Sequence, residues 1–212
     1  MSGSDMKQQI FYIHGGDAFT NYDDFLQFLR DIPVRDLPGV ESKPFWSKTI
    51  WEELTAEGYE VFAPSMPNKL NAKYEEWKIW FERHFEYLRD DVILVGWSLG
   101  GYFFAKYLAE NETPFRIKAL FLLAPLFENE AAEGDGDDGG DFAFDTSLAG
   151  NLSKQAPKIY LFHSKDDPIV PYRHSEKFAA ALPDAEFITF EDKNHFLIEE
   201  FPELLVKIKE LG

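Results

Sequence analysis

The hexapeptide Gly96-Trp97-Ser98-Leu99-Gly100-Gly101 follows the apolar run Val92-Ile93-Leu94-Val95 and opens a stretch with helical spacing. A G-x-S-x-G pattern between a strand and a helix is the setting of a nucleophilic serine. The sharp turn would hold Ser98 in a strained backbone conformation, and side chains at positions 96 and 100 would collide across it. The same turn sets the Ser98 hydroxyl at a helix N-terminus, where backbone N–H groups can stabilise developing negative charge. A serine hydroxyl is a poor nucleophile near neutral pH, so it needs a histidine base whose ring is oriented by a carboxylate.

Five histidines are available. His195, in Asp192-Lys193-Asn194-His195-Phe196, sits just past the last predicted strand, at the carboxyl edge of the sheet where Ser98 also sits. The plainer role for it is a loop histidine capping the next helix. His84 lies on a helical stripe, His163 ends a strand and His174 begins a surface helix, so His195 is the expected base. The acid should leave a strand's carboxyl end between Ser98 and His195 in chain order. His163-Ser164-Lys165-Asp166-Asp167-Pro168-Ile169-Val170-Pro171 supplies two neighbours. Asp167 is preferred because it stands in Asp-x-x-Val-Pro, with Pro168 restricting its backbone. Asp166 is the fallback, with turn stabilisation as its plain role, and Glu128 is a remoter candidate. The loop after the first strand begins His14-Gly15-Gly16-Asp17. The backbone amides of Gly16 and Leu99 are the expected oxyanion donors, although a glycine turn leaving a strand is also ordinary.

These residues need a scaffold that brings strand ends together. Short apolar, often β-branched runs at Ile10–His14, Tyr59–Ala63, Asp91–Trp97, Lys118–Ala124, Lys158–His163 and Glu186–Phe190 predict six buried strands. Between them, Tyr74, Trp77, Phe81, His84, Phe85 and Leu88 recur at steps of three or four, which predicts one amphipathic stripe. Helical patterns also fit Phe45–Glu57, Leu99–Asn111, Tyr172–Leu182 and Phe201–Leu211. Such alternation implies a three-layer α/β fold, a doubly wound and mainly parallel sheet covered on both faces.

Two segments interrupt the alternation of what reads as one domain over 1–212. The connection from Asp17 to Pro44 is long and holds Phe19, Tyr22, Phe25, Phe28 and Leu29 near helical spacing, so it reads as an aromatic-rich insertion. The acidic, glycine-rich stretch from Glu128 to Gly150 has too little apolar area to offset its ordering entropy and predicts a mobile surface loop.

Composition narrows the function classes. In 212 residues, 45% are hydrophobic and 28% charged, the profile of a globular chain with a sizeable core. The formal charge of -17 repels phosphate backbones and anionic headgroups, so neither nucleic acid nor a membrane surface is an expected partner. With no cysteine, a thiolate nucleophile and an iron–sulfur cluster are excluded. No apolar run is long enough to span a bilayer and the N-terminus is polar, which makes a soluble cytoplasmic protein the default expectation. Asp135, Asp137 and Asp141 hint at calcium, but Gly139 and the lack of a closing Glu break the EF-hand pattern. No nucleotide-binding or zinc-hydrolase signature is present, so no metal and no cofactor are expected.

With His-Gly-Gly, Gly-Trp-Ser-Leu-Gly-Gly, Asp-Asp-Pro-Ile-Val-Pro and Asn-His-Phe in this order, the chain resembles the α/β-hydrolase superfamily from about Ile10 to Leu211. Its length is similar to that of the compact branch of retinoblastoma-binding-protein-like serine hydrolases, which lacks the two N-terminal strands of larger members. The resemblance implies a Ser98–His195–Asp167 triad working through an acyl-enzyme. Trp97 and Asn194 depart from the histidine and glycine common at those places, which bears on substrate preference more than on catalysis.

The expected activity is therefore a cofactor-independent hydrolase of small carboxylic esters. Amidase, peptidase or thioesterase chemistry on the same triad is the alternative, and so is an unproductive hydrolase-like module whose acidic loop engages a protein partner. Phe19 and Tyr22, leaving the oxyanion loop, and Trp97, beside the serine, are the expected walls of a pocket for short to medium uncharged acyl groups.

Overall fold

The computed structural model describes residues 7–34, 45–129 and 138–212. Six strands form one sheet: β1 (Gln9–Ile13), β2 (Glu60–Phe62), β3 (Val92–Trp97), β4 (Ile117–Leu123), β5 (Ile159–Ser164) and β6 (Glu186–Phe190). Their order is β2-β1-β3-β4-β5-β6 and every neighbouring pair is parallel. All residues of β1 and β5 are buried, as their unbroken apolar runs required. But β2 and β6 have no buried residue, because as the sheet's edges they are covered less completely than the inner strands, so the expectation of six buried strands fails at both edges.

The pleat sorts each strand's side chains onto two faces. Phe11 and Ile13, Val92 and Leu94, Leu120 and Leu122, with Ile159 and Leu161, build one core. It is covered by α3 (Tyr74–Glu82), α4 (Leu99–Glu110) and α6 (Arg173–Ala181), which contribute Trp77, Phe103 and Phe178 among others. Ile10 and Tyr12, Ile93 and Val95, Phe121 and Leu123, with Tyr160 and Phe162, build the other. That face is covered by α2 (Trp46–Ala56) and α7 (Pro202–Lys209) through Trp46, Trp51, Leu54, Leu204 and Ile208. The arrangement is the expected three-layer, doubly wound sheet.

The structure departs from the sequence reading in three further places. The stripe from Tyr74 to Leu88 is not one helix: α3 ends at Glu82, and a separate 3-10 turn spans Phe85–Tyr87. His84 falls between them and pairs its Nδ1 with the Trp80 carbonyl at 2.7 Å, at the edge of the core. In the long first connection, α1 (Tyr22–Asp31) forms with Asn21 capping the Asp23 amide, yet none of its residues is fully buried. Residues 35–44 of that connection lie outside the described residues.

The third departure is in the acidic segment, where 130–137 lie outside the described residues, including Asp135 and Asp137. Beyond them the chain is packed rather than loose. Gly140–Phe142 makes a 3-10 turn, Phe142 is fully buried against Tyr74 and Trp77, and Asp141 accepts the Tyr74 amide at 2.9 Å. A single large aromatic outweighs the polar composition around it. A short helix, α5 (Asn151–Gln155), then leads into β5.

Candidate active site

Ser98 joins β3 directly to α4 with φ 54° and ψ -121°, a conformation that costs a non-glycine residue about 1–3 kcal/mol. Neighbouring bonds hold it there. The Ser98 amide donates to the Leu123 carbonyl of β4 at 2.8 Å, and the Ser98 carbonyl accepts from Gly101 and Tyr102 at 2.9 and 3.1 Å. A Cβ on Gly96 would lie 2.6 Å from the Gly100 carbonyl oxygen, and one on Gly100 would lie 2.3 Å from the Ile13 carbonyl oxygen. Glycine at both places is therefore a steric condition of the turn. Ser98 is 8% exposed at the head of α4, and Leu99 is that helix's first residue, whose N–H has no intrahelical partner.

Asp167 and His195 meet beyond the ends of β5 and β6, which are neighbours in the sheet. After β5, the turn wraps the Asp167 carboxylate so that Oδ1 accepts the amides of Ile169 and Val170 at 2.8 and 2.9 Å. Its Oδ2 lies 2.7 Å from His195 Nδ1, and both side chains are shut off from water. Burial by itself would raise the Asp167 carboxyl. The hydrogen bonds from His163 and His195, the charge of His195 and the Ile169 amide outweigh it and hold the group well below the ordinary carboxylate range. Because Oδ2 only accepts, His195 Nδ1 carries its proton, and Nε2 is the ring nitrogen left for other chemistry. Among the described residues no hydrogen bond joins Ser98 to His195, a separation common before a substrate tightens such a site.

The loop that presents His195 is itself constrained. Asn194 and Phe196, on either side, have φ of 41° and 56°. Asparagine tolerates that region better than most residues, which accounts for Asn194 where glycine is common. Asp166, the neighbouring carboxylate, points elsewhere: its Oδ1 accepts the Ser164 hydroxyl at 2.5 Å and the Asn194 amide at 2.9 Å. It fastens the His195 loop to β5. Glu128, the remoter candidate, pairs instead with Lys177.

On the other side of Ser98 lies the His14-Gly15-Gly16-Asp17 loop. His14 Nε2 accepts the Met66 amide at 2.9 Å, so Nδ1 carries the proton and donates to the Gly15 carbonyl at 2.5 Å. Burial, with the nearby charge of Lys69 adding to it and the Gly15 bond opposing it, makes His14 harder to protonate than an ordinary histidine. In a planar trans peptide, turning the Gly15 carbonyl to His14 aims the Gly16 N–H the opposite way. A Cβ on Gly15 would stand 3.2 Å from the Ser98 Cβ, so this loop and the elbow are in contact.

A cavity of about 570 Å³ opens beside that loop, lined by Phe25, Asn68, Lys69, Leu70, Asn71, Lys73 and Glu76. Its wall is bonded to the glycine loop, because Asp17 donates to the Lys69 carbonyl at 2.8 Å and Ala72 donates to Asp17 at 2.9 Å. The residues expected as walls do not line it. Phe19 is buried under α1 against Phe25 and Phe28, whereas Tyr22 is 64% exposed. Trp97 faces the other way, with its ring 5.5 Å from that of His195 and its Nε1 donating to the His195 carbonyl at 3.0 Å.

One residue's part in the site, and another's whole presence there, go beyond the sequence reading. Trp97 is expected as a pocket wall, and its bond to the His195 carbonyl spans a separation that no local pattern reports. His163 passed as the end of a strand, but its Nε2 lies 3.1 Å from Asp167 Oδ2. The available signal was its place four residues before Asp167 at the mouth of the same turn. Among the described residues no group of His, Cys, Asp and Glu could hold a metal ion, and no helix is long and apolar enough to cross a membrane. Together these groups place a hydroxyl and a carboxylate-bound imidazole at one edge of the sheet.

A family model described as serine hydrolase matches residues 38–204 of the chain. The serine hydrolase RBBP9 of Rattus norvegicus is 26% identical over 159 residues, which span 73% of this chain and 78% of that protein. Among solved structures, the ydeN gene product of B. subtilis superposes with a TM-score of 0.74 at 20% identity, covering 97% of this chain and 98% of that one. The monoacylglycerol lipase of Paleococcus ferrophilus superposes with a TM-score of 0.61 at 14% identity, covering 95% and 92%. Structural likeness at these identities speaks for a shared α/β-hydrolase fold and not for a shared substrate.

Proposed function

The chain belongs to the serine hydrolase family, and from that premise we propose that Ser98, His195 and Asp167 form a triad that cleaves small carboxylic esters through an acyl-enzyme. One observation carries the reading: the shielded 2.7 Å contact between Asp167 and His195, on the ends of β5 and β6 at the same edge of the sheet as the strained serine turn.

In this mechanism Ser98 Oγ attacks the ester carbonyl while its proton passes to His195 Nε2. Asp167 keeps Nδ1–H in place and stabilises the imidazolium. The carbonyl oxygen, now an alkoxide, accepts from the amides of Leu99 and Gly16, each such donor being worth ~2.7–4 kcal/mol in the transition state. His14 supports that assignment by fixing the Gly15–Gly16 peptide. His195 then gives its proton to the leaving alcohol, and a water deprotonated by His195 releases the acid and restores Ser98.

The cavity beside Gly16 is our candidate for the acyl group. With Phe25 and Leu70 as its apolar members it suits short to medium chains. The net charge opposes anionic substrates at long range, but Lys69 and Lys73 act in the opposite sense within the screening length of about 8 Å. A fluorophosphonate probe tests the reading: the native chain should be labelled rapidly and Ser98→Ala should not. An intact native protein that stays unlabelled refutes it. A series of 4-nitrophenyl esters, including the hemisuccinate and run beside an anilide and a thioester, then ranks the competing substrate classes.

A further inference from the structure

Asp167 Oδ2 serves two histidines. His195 Nδ1 reaches it at 2.7 Å and His163 Nε2 at 3.1 Å. His163 is fully buried, and the same Nε2 lies 2.9 Å from the Val170 carbonyl. Both neighbours of this nitrogen only accept, so it must carry a proton and share it between them. The opposite nitrogen, Nδ1, faces the buried Ser175 hydroxyl of α6 at 2.6 Å. The edge of the ring also meets Tyr172 at 5.6 Å between centroids.

The carboxylate is thereby saturated. Oδ1 takes two backbone amides and Oδ2 takes two imidazoles, which uses the roughly four acceptor sites that a carboxylate has. The two amides belong to the turn and would hold Oδ1 in any case. The direction of Oδ2 is set by the imidazoles, and of these only His163 stands on a central strand and is pinned at its far side by another helix.

We propose that His163 is a positioning residue for the acid of this site, using its Nε2–H to orient Asp167 Oδ2 toward His195 and to draw off part of the carboxylate's charge. The proposal rests on the Ser98–His195–Asp167 reading. It also has a direction: a carboxylate relieved of His163 is a stronger acceptor for His195, holds the imidazolium more tightly and leaves less free base at a given pH. The charged or titratable groups around the pair, Asp166 and Lys193 at Ser164 and Tyr172 on the His163 ring, are unchanged by substitution at 163.

Two amides separate this role from mere packing. In His163→Asn the side-chain nitrogen falls near the old Nδ1, within reach of Ser175 but short of Asp167. In His163→Gln it falls near the old Nε2 and can still donate to Oδ2. We expect His163→Asn to lose ~10-fold in kcat with KM changed less than about 3-fold. The acid limb of its kcat/KM profile should move to higher pH. His163→Gln should restore most of kcat and return the limb toward its native position. Circular dichroism and thermal melts establish that each variant is folded, and Ser175→Ala, which loosens the ring without removing it, should show a smaller loss in the same direction. A folded His163→Asn that matches the native chain in kcat and in its acid limb, or that matches His163→Gln, overturns the proposal while Ser98→Ala remains inactive. If Ser98→Ala keeps its turnover, the triad reading falls first and this proposal with it.

Discussion

The indole Nε1–H of Trp97 donates to the backbone carbonyl of His195 at 3.0 Å, tying the residue before the serine to the loop that carries the imidazole. The Trp97 ring also packs on Phe45 and Trp46, so the link extends into the core beneath α2. Trp97→Phe keeps an aromatic surface and removes the donor, leaving a partly buried carbonyl unpaired at a cost of about 1–3 kcal/mol. Urea unfolding should show that loss, and ester turnover should fall ~5-fold or more as the His195 loop loosens. Native turnover in a folded variant would show that the strained Asn194 and Phe196 backbone holds His195 unaided.

Ser98→Ala should abolish ester turnover by ~10³-fold or more, because nothing else at the turn can attack. Its stability carries separate information. At φ 54° alanine keeps the backbone strain and glycine relieves it, so Ser98→Gly should be more stable than Ser98→Ala by about 1 kcal/mol. Equal melting temperatures for the two variants would mean that the elbow stores no appreciable strain.

Asp167→Asn should reduce turnover far more than Asp166→Asn. The first substitution favours the wrong His195 tautomer, while the second touches only the fastening of the loop. A reversed order would transfer the acid's role to Asp166. The folded-state pKa of Asp167 is depressed, so its contribution to stability is present above about pH 4, the ordinary carboxylate value, and is lost as pH falls through the lower folded value. The stability gap between native protein and Asp167→Asn should therefore be full at neutral pH and close only on strong acidification. A gap that is constant down to pH 2 contradicts the assignment.

Phe25→Ala should alter the acyl-length profile, since Phe25 lines the cavity beside Gly16, whereas Tyr22→Ala should leave it unchanged because Tyr22 stands in solvent. Phe19→Ala is expected to act on stability instead, costing about 3–5 kcal/mol as a core truncation. A changed profile in Tyr22→Ala with an unchanged one in Phe25→Ala would place the acyl group elsewhere.

What could be read from the chain was what local rules govern. The six strands follow from apolar runs, and the elbow follows from glycines at 96 and 100 whose Cβ atoms would strike backbone. The order of Ser98, Asp167 and His195 along the chain follows from the positions of strand ends. Even the departure at 194 has a local cause, because asparagine can occupy the left-handed region that its position requires.

The tertiary structure alone decided matters that depend on direction across space. Asp166 and Asp167 are neighbours with the same chemistry, and only the path of the turn sends one to Ser164 and Asn194 and the other to His195. Phe142 is buried despite its acidic surroundings because it reaches a gap beside Trp77 that no composition reports. His163 and Trp97 touch the site through a side chain aimed from a strand and an indole aimed at a distant carbonyl. Sequence patterns encode which face of an element is apolar, since that repeats with the backbone period. The partner a buried polar group finds depends on how separate strand ends are brought side by side, and that is settled only when the sheet closes over its two cores.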